Sequence, residues 1–102
     1  MNEILERCKT TLRNHYGSRF KGLMLYGSKA RAEDDSSSDI DLLVLLEKPF
    51  DYFQELRRMT ELLYPLQLES EQMISVKPAA VDEYQAGALQ LYRNAMNEGV
   101  TL

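Results

Sequence analysis

The apolar positions of this chain alternate between helical spacing and short continuous runs. Near the N-terminus they recur every three or four residues, which predicts an amphipathic helix over residues 2–15. Residues 20–26 and 39–46 are nearly continuous apolar runs and predict two strands. The second run has no polar residue after position 41, so we expect both faces of that strand to be covered.

The second half of the chain continues this alternation. Helical spacing predicts a helix over residues 51–64 that ends before Pro65, followed by two short strands at residues 66–68 and 73–76. A final helix is predicted over residues 81–97. With a short helix after the first strand, the predicted order is α-β-α-β-α-β-β-α. This order is typical of an α/β (α+β) domain, a small mixed β-sheet with flanking helices.

Length and composition narrow the class of protein. The 102 residues suffice for one core, so residues 1–102 are interpreted as a single domain. The net charge of −4 argues against direct DNA binding, which usually requires a basic excess. Cys8 is the only cysteine, which excludes a disulfide framework and a thiolate zinc site. No apolar run has the length of a membrane span, and the charged N-terminus is unlike a secretory signal, so we expect a cytoplasmic protein without membrane contact.

The stretch between the first two predicted strands carries the candidate chemistry. The first strand ends in Gly27 and Ser28, and after ten further residues Asp39 and Asp41 open the second strand. Alternate residues of a strand point to one face, so we expect the two carboxylates side by side, where a divalent metal would relieve their repulsion. Gly27 permits close approach of a ligand, and Ser28 stands where a following helix would begin, a favourable place for an anion.

Each half of this pattern is weak evidence alone. A Gly-Ser pair after a strand is usually a turn, and a single Asp-x-Asp at a strand start is more often a turn cap than a metal site. The joint pattern of strand, Gly-Ser, ten-residue spacer, Asp-x-Asp and strand is much rarer than either part. It predicts a site where phosphate and a divalent cation meet.

The joint pattern resembles the signature of the nucleotidyltransferase superfamily that includes DNA polymerase β and kanamycin nucleotidyltransferase. The short chain and the sequence Leu-Tyr-Gly-Ser-Lys-Ala-Arg-Ala at residues 25–32 are similar to the minimal nucleotidyltransferases, antitoxins often paired with a HEPN-domain toxin. Residues 91–99 are also similar to that group. The resemblance implies a nucleotidyltransferase fold and magnesium-dependent transfer of AMP from ATP to a tyrosine of the partner HEPN ribonuclease, within a hetero-oligomer of the two proteins.

The resemblance also implies roles for individual residues. Asp39 and Asp41 would be the catalytic pair that holds Mg²⁺, and Gly27 and Ser28 would bind the phosphates of the nucleotide. Arg31 is a further candidate nucleotide-binding residue, although the family usually has Arg-x-Arg-Gly after the Gly-Ser pair where this chain has Lys-Ala-Arg-Ala.

A third carboxylate of the superfamily, on a later strand, has no clear counterpart in this sequence. Alignment by eye places Ser75 near that position, and Glu69 and Glu71 are nearby alternatives. Losing this carboxylate would weaken metal binding or deprotonation of the acceptor. Two hypotheses therefore stay open: an adenylyltransferase, active or weakly active, and a degenerate nucleotide-binding module that neutralises the toxin by occlusion.

Transfer to a small molecule such as an aminoglycoside is a variant of the first hypothesis. It is disfavoured because those enzymes usually carry an added helical domain for the acceptor, and none is predicted here. The sequence leaves the preferred nucleotide, the acceptor residue and the oligomeric state open.

Overall fold

A computed structural model describes residues 3–27 and 39–102 of the chain. The elements of these residues are, in chain order, α1 (Glu3–Tyr16), β1 (Phe20–Tyr26), β2 (Ile40–Leu46), α2 (Tyr52–Glu69), β3 (Ile74–Ala80), α3 (Val81–Gln85), α4 (Gln90–Glu98) and β4 (Val100–Thr101). A single 3₁₀ turn, Gly17–Arg19, joins α1 to β1. The short helix predicted after Ser28 lies outside the described residues.

The strands form one mixed sheet in the order β3-β2-β1-β4. β1 pairs antiparallel with both β2 and β4, whereas β2 and β3 run parallel and are joined through α2. This confirms the predicted class, a small mixed sheet with flanking helices.

The two faces of the sheet carry separate cores. One face packs against α1 and α2, and the buried side chains that it contributes from β1 and β2 are Leu23, Leu25, Ile40, Leu42, Val44 and Leu46. The other face packs against α3 and α4 and contributes Met24, Leu43, Leu45 and Ala79. Because β2 is buried on both faces after its first residues, its uninterrupted apolar run is explained.

The first helix and the first two strands agree with their predicted bounds. α1 begins with Glu3 and Glu6, which suit the positive end of the helix dipole, and it buries the predicted apolar stripe. β1 covers the predicted range, and β2 begins one residue later than predicted.

The predicted end of the second helix before Pro65 is wrong. α2 continues through Pro65 to Glu69, so the strand predicted at residues 66–68 is also wrong. A proline inside a helix costs about 3 kcal/mol, but the added turn buries Leu66, and Arg7 of α1 forms an ion pair with Glu69 at 2.9 Å. These tertiary contacts offset the local preference of Pro65 against helix, on which the prediction was based.

The strand predicted at residues 73–76 is longer than expected and includes a proline. The amide of Ile40 donates to the carbonyl of Met73 at 2.8 Å, and the amide of Ile74 donates to Oε1 of Gln67 at 2.7 Å. Peptide groups of a parallel strand alternate in direction, so every second residue from Ile74 directs its peptide groups away from β2. Pro78 falls in this set on an edge strand, where its missing N–H interrupts no ladder bond.

The single helix predicted over residues 81–97 is wrong, because the structure has two. Gly87 adopts a φ of 65° between α3 and α4, and its amide donates to the carbonyl of Tyr84, as in a glycine-terminated helix. The segment after α4, for which no element is predicted, contains β4, and the amide of Leu102 donates to the carbonyl of Leu23 at 2.9 Å. A two-residue strand is too short to have a periodic pattern.

Across the described ranges, 3–27 and 39–102, no helix has the length and apolar character needed to cross a membrane.

Candidate active site

The end of β1, the start of β2 and the start of β3 meet at one end of the sheet. Tyr26, the last residue of β1, is in register with Asp41 of β2. Because β2 and β3 are parallel, their starts also adjoin, and Ser75 is in register with Asp41. The topology thus brings Gly27, Asp41 and Ser75 together from three separate stretches of sequence.

Gly27 touches the carboxylate of Asp41. Its φ of 80° lies in the left-handed region that favours glycine. A Cβ added to Gly27 would lie 2.6 Å from Oδ2 of Asp41 and 3.5 Å from its Cγ, so a side chain would displace the carboxylate. The Gly-Ser half and the Asp-x-Asp half of the sequence motif therefore meet in space at Gly27 and Asp41.

The two aspartates share one face of the sheet, as alternation predicts. Ile40, between them, is buried in the core under α1 and α2, so Asp39 and Asp41 lie on the face of α3 and α4. Asp39 is exposed and Asp41 is partly buried. Burial raises the pKa of Asp41, the charge of Asp39 raises it further, and Lys77 lowers it. Because burial and Asp39 disfavour the ionised form of Asp41, a cation bound here would stabilise the carboxylate.

The β3 side of the site contains a residue that sequence reasoning missed. Ser75 and Lys77 alternate along β3 in register with Asp41 and Leu43, so all four side chains belong to one face of the sheet. The position adjoining Asp41 thus carries a neutral hydroxyl, followed two residues later by an exposed ammonium group. The two-residue spacing of Ser75 and Lys77 is visible in the sequence, but its register with Asp41 is not.

The alternative third carboxylates differ in their surroundings. Glu69 ends α2, which covers the opposite face, and both its oxygens accept from Arg7 at 2.9 Å. These hydrogen bonds and the charge of Arg7 lower the pKa of Glu69. Glu71 is exposed in the connection between α2 and β3. The pairing of Glu69 with Arg7, on a helix that covers the opposite face, disfavours Glu69 as a site carboxylate.

Two predicted nucleotide-binding residues, Ser28 and Arg31, lie outside the described residues, as does Lys29. Their predicted roles stay predictions. Within residues 3–27 and 39–102, no three His, Cys, Asp or Glu side chains are grouped to hold a metal ion.

Comparison with known proteins gives this geometry a family. Residues 6–102 match the family model described as "Polymerase beta, Nucleotidyltransferase". The chain belongs to this nucleotidyltransferase family. A relative from Methanocaldococcus jannaschii, assigned as a protein adenylyltransferase, is 32% identical over 83 residues, which cover 76% of this chain and 83% of the relative. The resemblance to the nucleotidyltransferase family that the sequence indicated is thereby confirmed.

Solved structures of low sequence identity share the fold of this nucleotidyltransferase. A mutant form of the toxin–antitoxin pair MntA–HpeT matches with a TM-score of 0.64 and 19% identity, covering all of this chain and 72% of that one. A toxin–antitoxin structure with AMP-PNP matches with a TM-score of 0.62 and 16% identity, covering 94% of this chain and 70% of that one. A nucleotidyltransferase from Sulfolobus solfataricus matches with a TM-score of 0.54 and 18% identity, covering 97% of this chain and 72% of that one.

The donor set of this candidate site fits magnesium. Mg²⁺ prefers oxygen ligands and is commonly held by one or two carboxylates together with the phosphates of a substrate. Asp39 and Asp41 supply two such carboxylates on one face, next to the open backbone of Gly27. Ser75, in register with Asp41, adds no third carboxylate, so further ligands of the metal would come from the substrate or from water.

Aromatic side chains, among them Tyr26 and Tyr92, pack on the same face of the sheet. Tyr26 packs on the core under α3 and α4, and burial, followed by the charge of Asp41, raises its pKa to about 12. The hydroxyl of Tyr26 therefore stays protonated at neutral pH and can serve as a hydrogen-bond donor near Asp41.

A cavity of about 310 Å³ lies at the far end of β2 and β3, where Tyr52 and Tyr92 contribute to its lining.

Proposed function

We propose that this nucleotidyltransferase is an antitoxin that transfers AMP from ATP, with Mg²⁺, to a tyrosine of a partner HEPN ribonuclease. The relative assigned as a protein adenylyltransferase supports transfer to a protein. The toxin–antitoxin pairs that share the fold support a toxin as the acceptor, and the AMP-PNP in one of them supports an adenine nucleotide. With this function, the protein would form a hetero-oligomer with the toxin.

The reaction joins the acceptor oxygen to the α-phosphorus of ATP. The hydroxyl oxygen of the tyrosine forms the new P–O bond, the bond to the β-phosphate oxygen breaks, and pyrophosphate leaves with the electron pair. The hydroxyl proton passes to a base or to water. Bound Mg²⁺ would neutralise phosphate charge as it develops.

The residues of this chain would contribute mainly position and charge. Asp39 and Asp41 would hold the metal ion, and Gly27 would admit the phosphates beside Asp41 because it carries no side chain. Ser28 and Arg31 would bind the phosphates further. Positioning and electrostatic stabilisation account for most of the catalysis in phosphoryl transfer.

The contact between Gly27 and Asp41 is the observation that carries this proposal. It supports a single site assembled from both halves of the motif, because the backbone that would receive phosphate abuts the carboxylate that would receive metal. A turn and an unrelated strand cap would not require such an approach.

Intact-mass analysis of a purified HEPN partner, incubated with this protein, ATP and Mg²⁺, tests the proposal. We expect the partner to gain mass in multiples of an AMP residue, and the gain to map to a tyrosine. The variant Asp39→Ala, Asp41→Ala should remain folded by circular dichroism and should lose the transfer. No mass gain with Mg²⁺ or Mn²⁺ would overturn the enzymatic proposal.

One observation favours the occlusion hypothesis as a second candidate function. Ser75 stands in register with Asp41, where a third carboxylate would have to lie to share the site. Cellular neutralisation of the toxin by the Asp39→Ala, Asp41→Ala variant would support occlusion. Loss of neutralisation by this variant, with retained binding of the toxin, would support transfer.

A further inference from the structure

We infer that Lys77 binds the phosphates of the nucleotide, closing the phosphate site from the β3 side. The inference rests on the proposed function, because it assumes that a nucleotide binds at Asp39 and Asp41. It adds a ligand-binding residue that lies far from the Gly-Ser motif in the sequence.

The register of β2 and β3 places Lys77 at the site. Ser75 is opposite Asp41 and Lys77 is opposite Leu43, so both side chains leave the sheet on the face of Asp41. Ala79, the next residue of this alternating set, is buried in the core under α3 and α4, which confirms the face independently. Lys77 is therefore two residues, about 7 Å, along β3 from the position opposite Asp41.

The side chain of Lys77 is exposed and carries a positive charge. Within the described part of the chain, Lys77 forms no ion pair, whereas Lys21 pairs with Glu47 at 3.7 Å and Lys48 pairs with Glu83 at 2.9 Å. The ammonium group of Lys77 nevertheless acts on Asp41, where it lowers the carboxyl pKa. A flexible lysine at this distance can reach an anion bound beside Asp41.

The neutral side chain of Ser75 explains why such a cation suits this site. Two carboxylates and one Mg²⁺ have no net charge, so they leave the negative charge of a triphosphate uncompensated. A third carboxylate opposite Asp41 would add negative charge that calls for another metal ion. With Ser75 there instead, the ammonium group of Lys77 provides positive charge on the same side without a further metal ion.

Calorimetry on the full chain can measure the binding of AMP-PNP with Mg²⁺. This measurement distinguishes phosphate binding by Lys77 from a role in which Lys77 only neutralises the charge of Asp41. Lys77→Met should weaken nucleotide binding about tenfold, the loss of one charge-assisted hydrogen bond. Binding of Mn²⁺ alone should become tighter, because the ammonium group no longer repels the cation. A residue that only neutralises Asp41 would tighten metal binding without weakening nucleotide binding.

Two further variants complete the experiment. Lys77→Arg should retain nucleotide affinity, since it keeps the charge, and Lys21→Met should match the unmodified protein because Lys21 lies at the opposite end of the sheet. Equal nucleotide affinity of Lys77→Met and the unmodified protein would overturn the inference and leave the proposed function intact. Failure of the unmodified protein to bind the nucleotide would overturn both.

Discussion

Substituting Gly27 by alanine perturbs the site at the contact that joins its two halves. A non-glycine residue at a φ of 80° costs about 1–2 kcal/mol in backbone strain. The new Cβ would lie 2.6 Å from Oδ2 of Asp41, and ordinary contact begins at 3.4 Å, so the two atoms must separate by about 0.8 Å. Misplacement of a reacting group by about 1 Å can lower a rate about 100-fold. We therefore expect Gly27→Ala to lose about two orders of magnitude in AMP transfer.

Gly17 offers a matched control for the strain alone. Its φ is 58°, and an added Cβ would meet nothing within 4 Å. Gly17→Ala should therefore lose about 1–2 kcal/mol of unfolding free energy in urea, as expected for left-handed strain, without loss of transfer. Gly27→Ala should lose stability through the same strain and through the collision with Asp41, and it should in addition lose transfer.

Removal of the Asp41 carboxylate tests how much of the cost of Gly27→Ala comes from the close approach of the new Cβ to Oδ2 of Asp41. In the background of Asp41→Ala, the alanine at position 27 meets no carboxylate, so its cost in unfolding free energy should fall toward that of Gly17→Ala. A double-mutant cycle measures this coupling directly. Equal transfer rates of Gly27→Ala and Gly17→Ala would refute the reasoning, as would a cycle in which positions 27 and 41 show no coupling.

Three further predictions concern charge and the second helix. Burial and Asp39 raise the pKa of Asp41 in the folded state, so ionisation of Asp41 opposes folding. The protonated carboxyl contributes stability that is fully present below the unfolded pKa and is lost as pH rises through the folded pKa. Asp41→Asn should accordingly be more stable than the unmodified protein at pH 7 and lose this advantage at acidic pH in urea unfolding, while AMP transfer falls. Glu69→Gln should leave transfer unchanged in the mass assay, because Glu69 is held by Arg7; a tenfold loss would return Glu69 to the site. Pro65→Ala should raise the melting temperature, because alanine restores an amide donor within α2, with a gain of up to about 3 kcal/mol; a lower melting temperature would contradict it.

The successes of the sequence prediction follow from local physics. α1 shows an apolar stripe, and β2 shows a continuous apolar run, so each pattern has one dominant solution. Alternation, a property of any strand, predicts that the Asp-x-Asp pair shares one face. The buried Ile40 confirms that placement.

The errors have tertiary causes. Pro65 predicts the end of a helix, but burial of Leu66 and the ion pair of Glu69 with Arg7 extend α2 past it. β4 is too short to show periodicity, and it forms because β1 has a free edge beside it. The apolar stripe of residues 81–97 predicts one helix, but Gly87, with a φ of 65°, divides it into α3 and α4.

The sequence by itself determined the family signature, the mixed α/β class and the pairing of Asp39 with Asp41 on one face, because these depend on residue identity and on the fixed period of a strand. Only the tertiary structure decided which distant residues join them. The contact of Gly27 with Asp41, the registry of Ser75 with Asp41 and the place of Lys77 beside them all arise from strand pairing. Register depends on how the apolar residues of paired strands pack together on both sheet faces, which the sequence of one strand does not specify by itself.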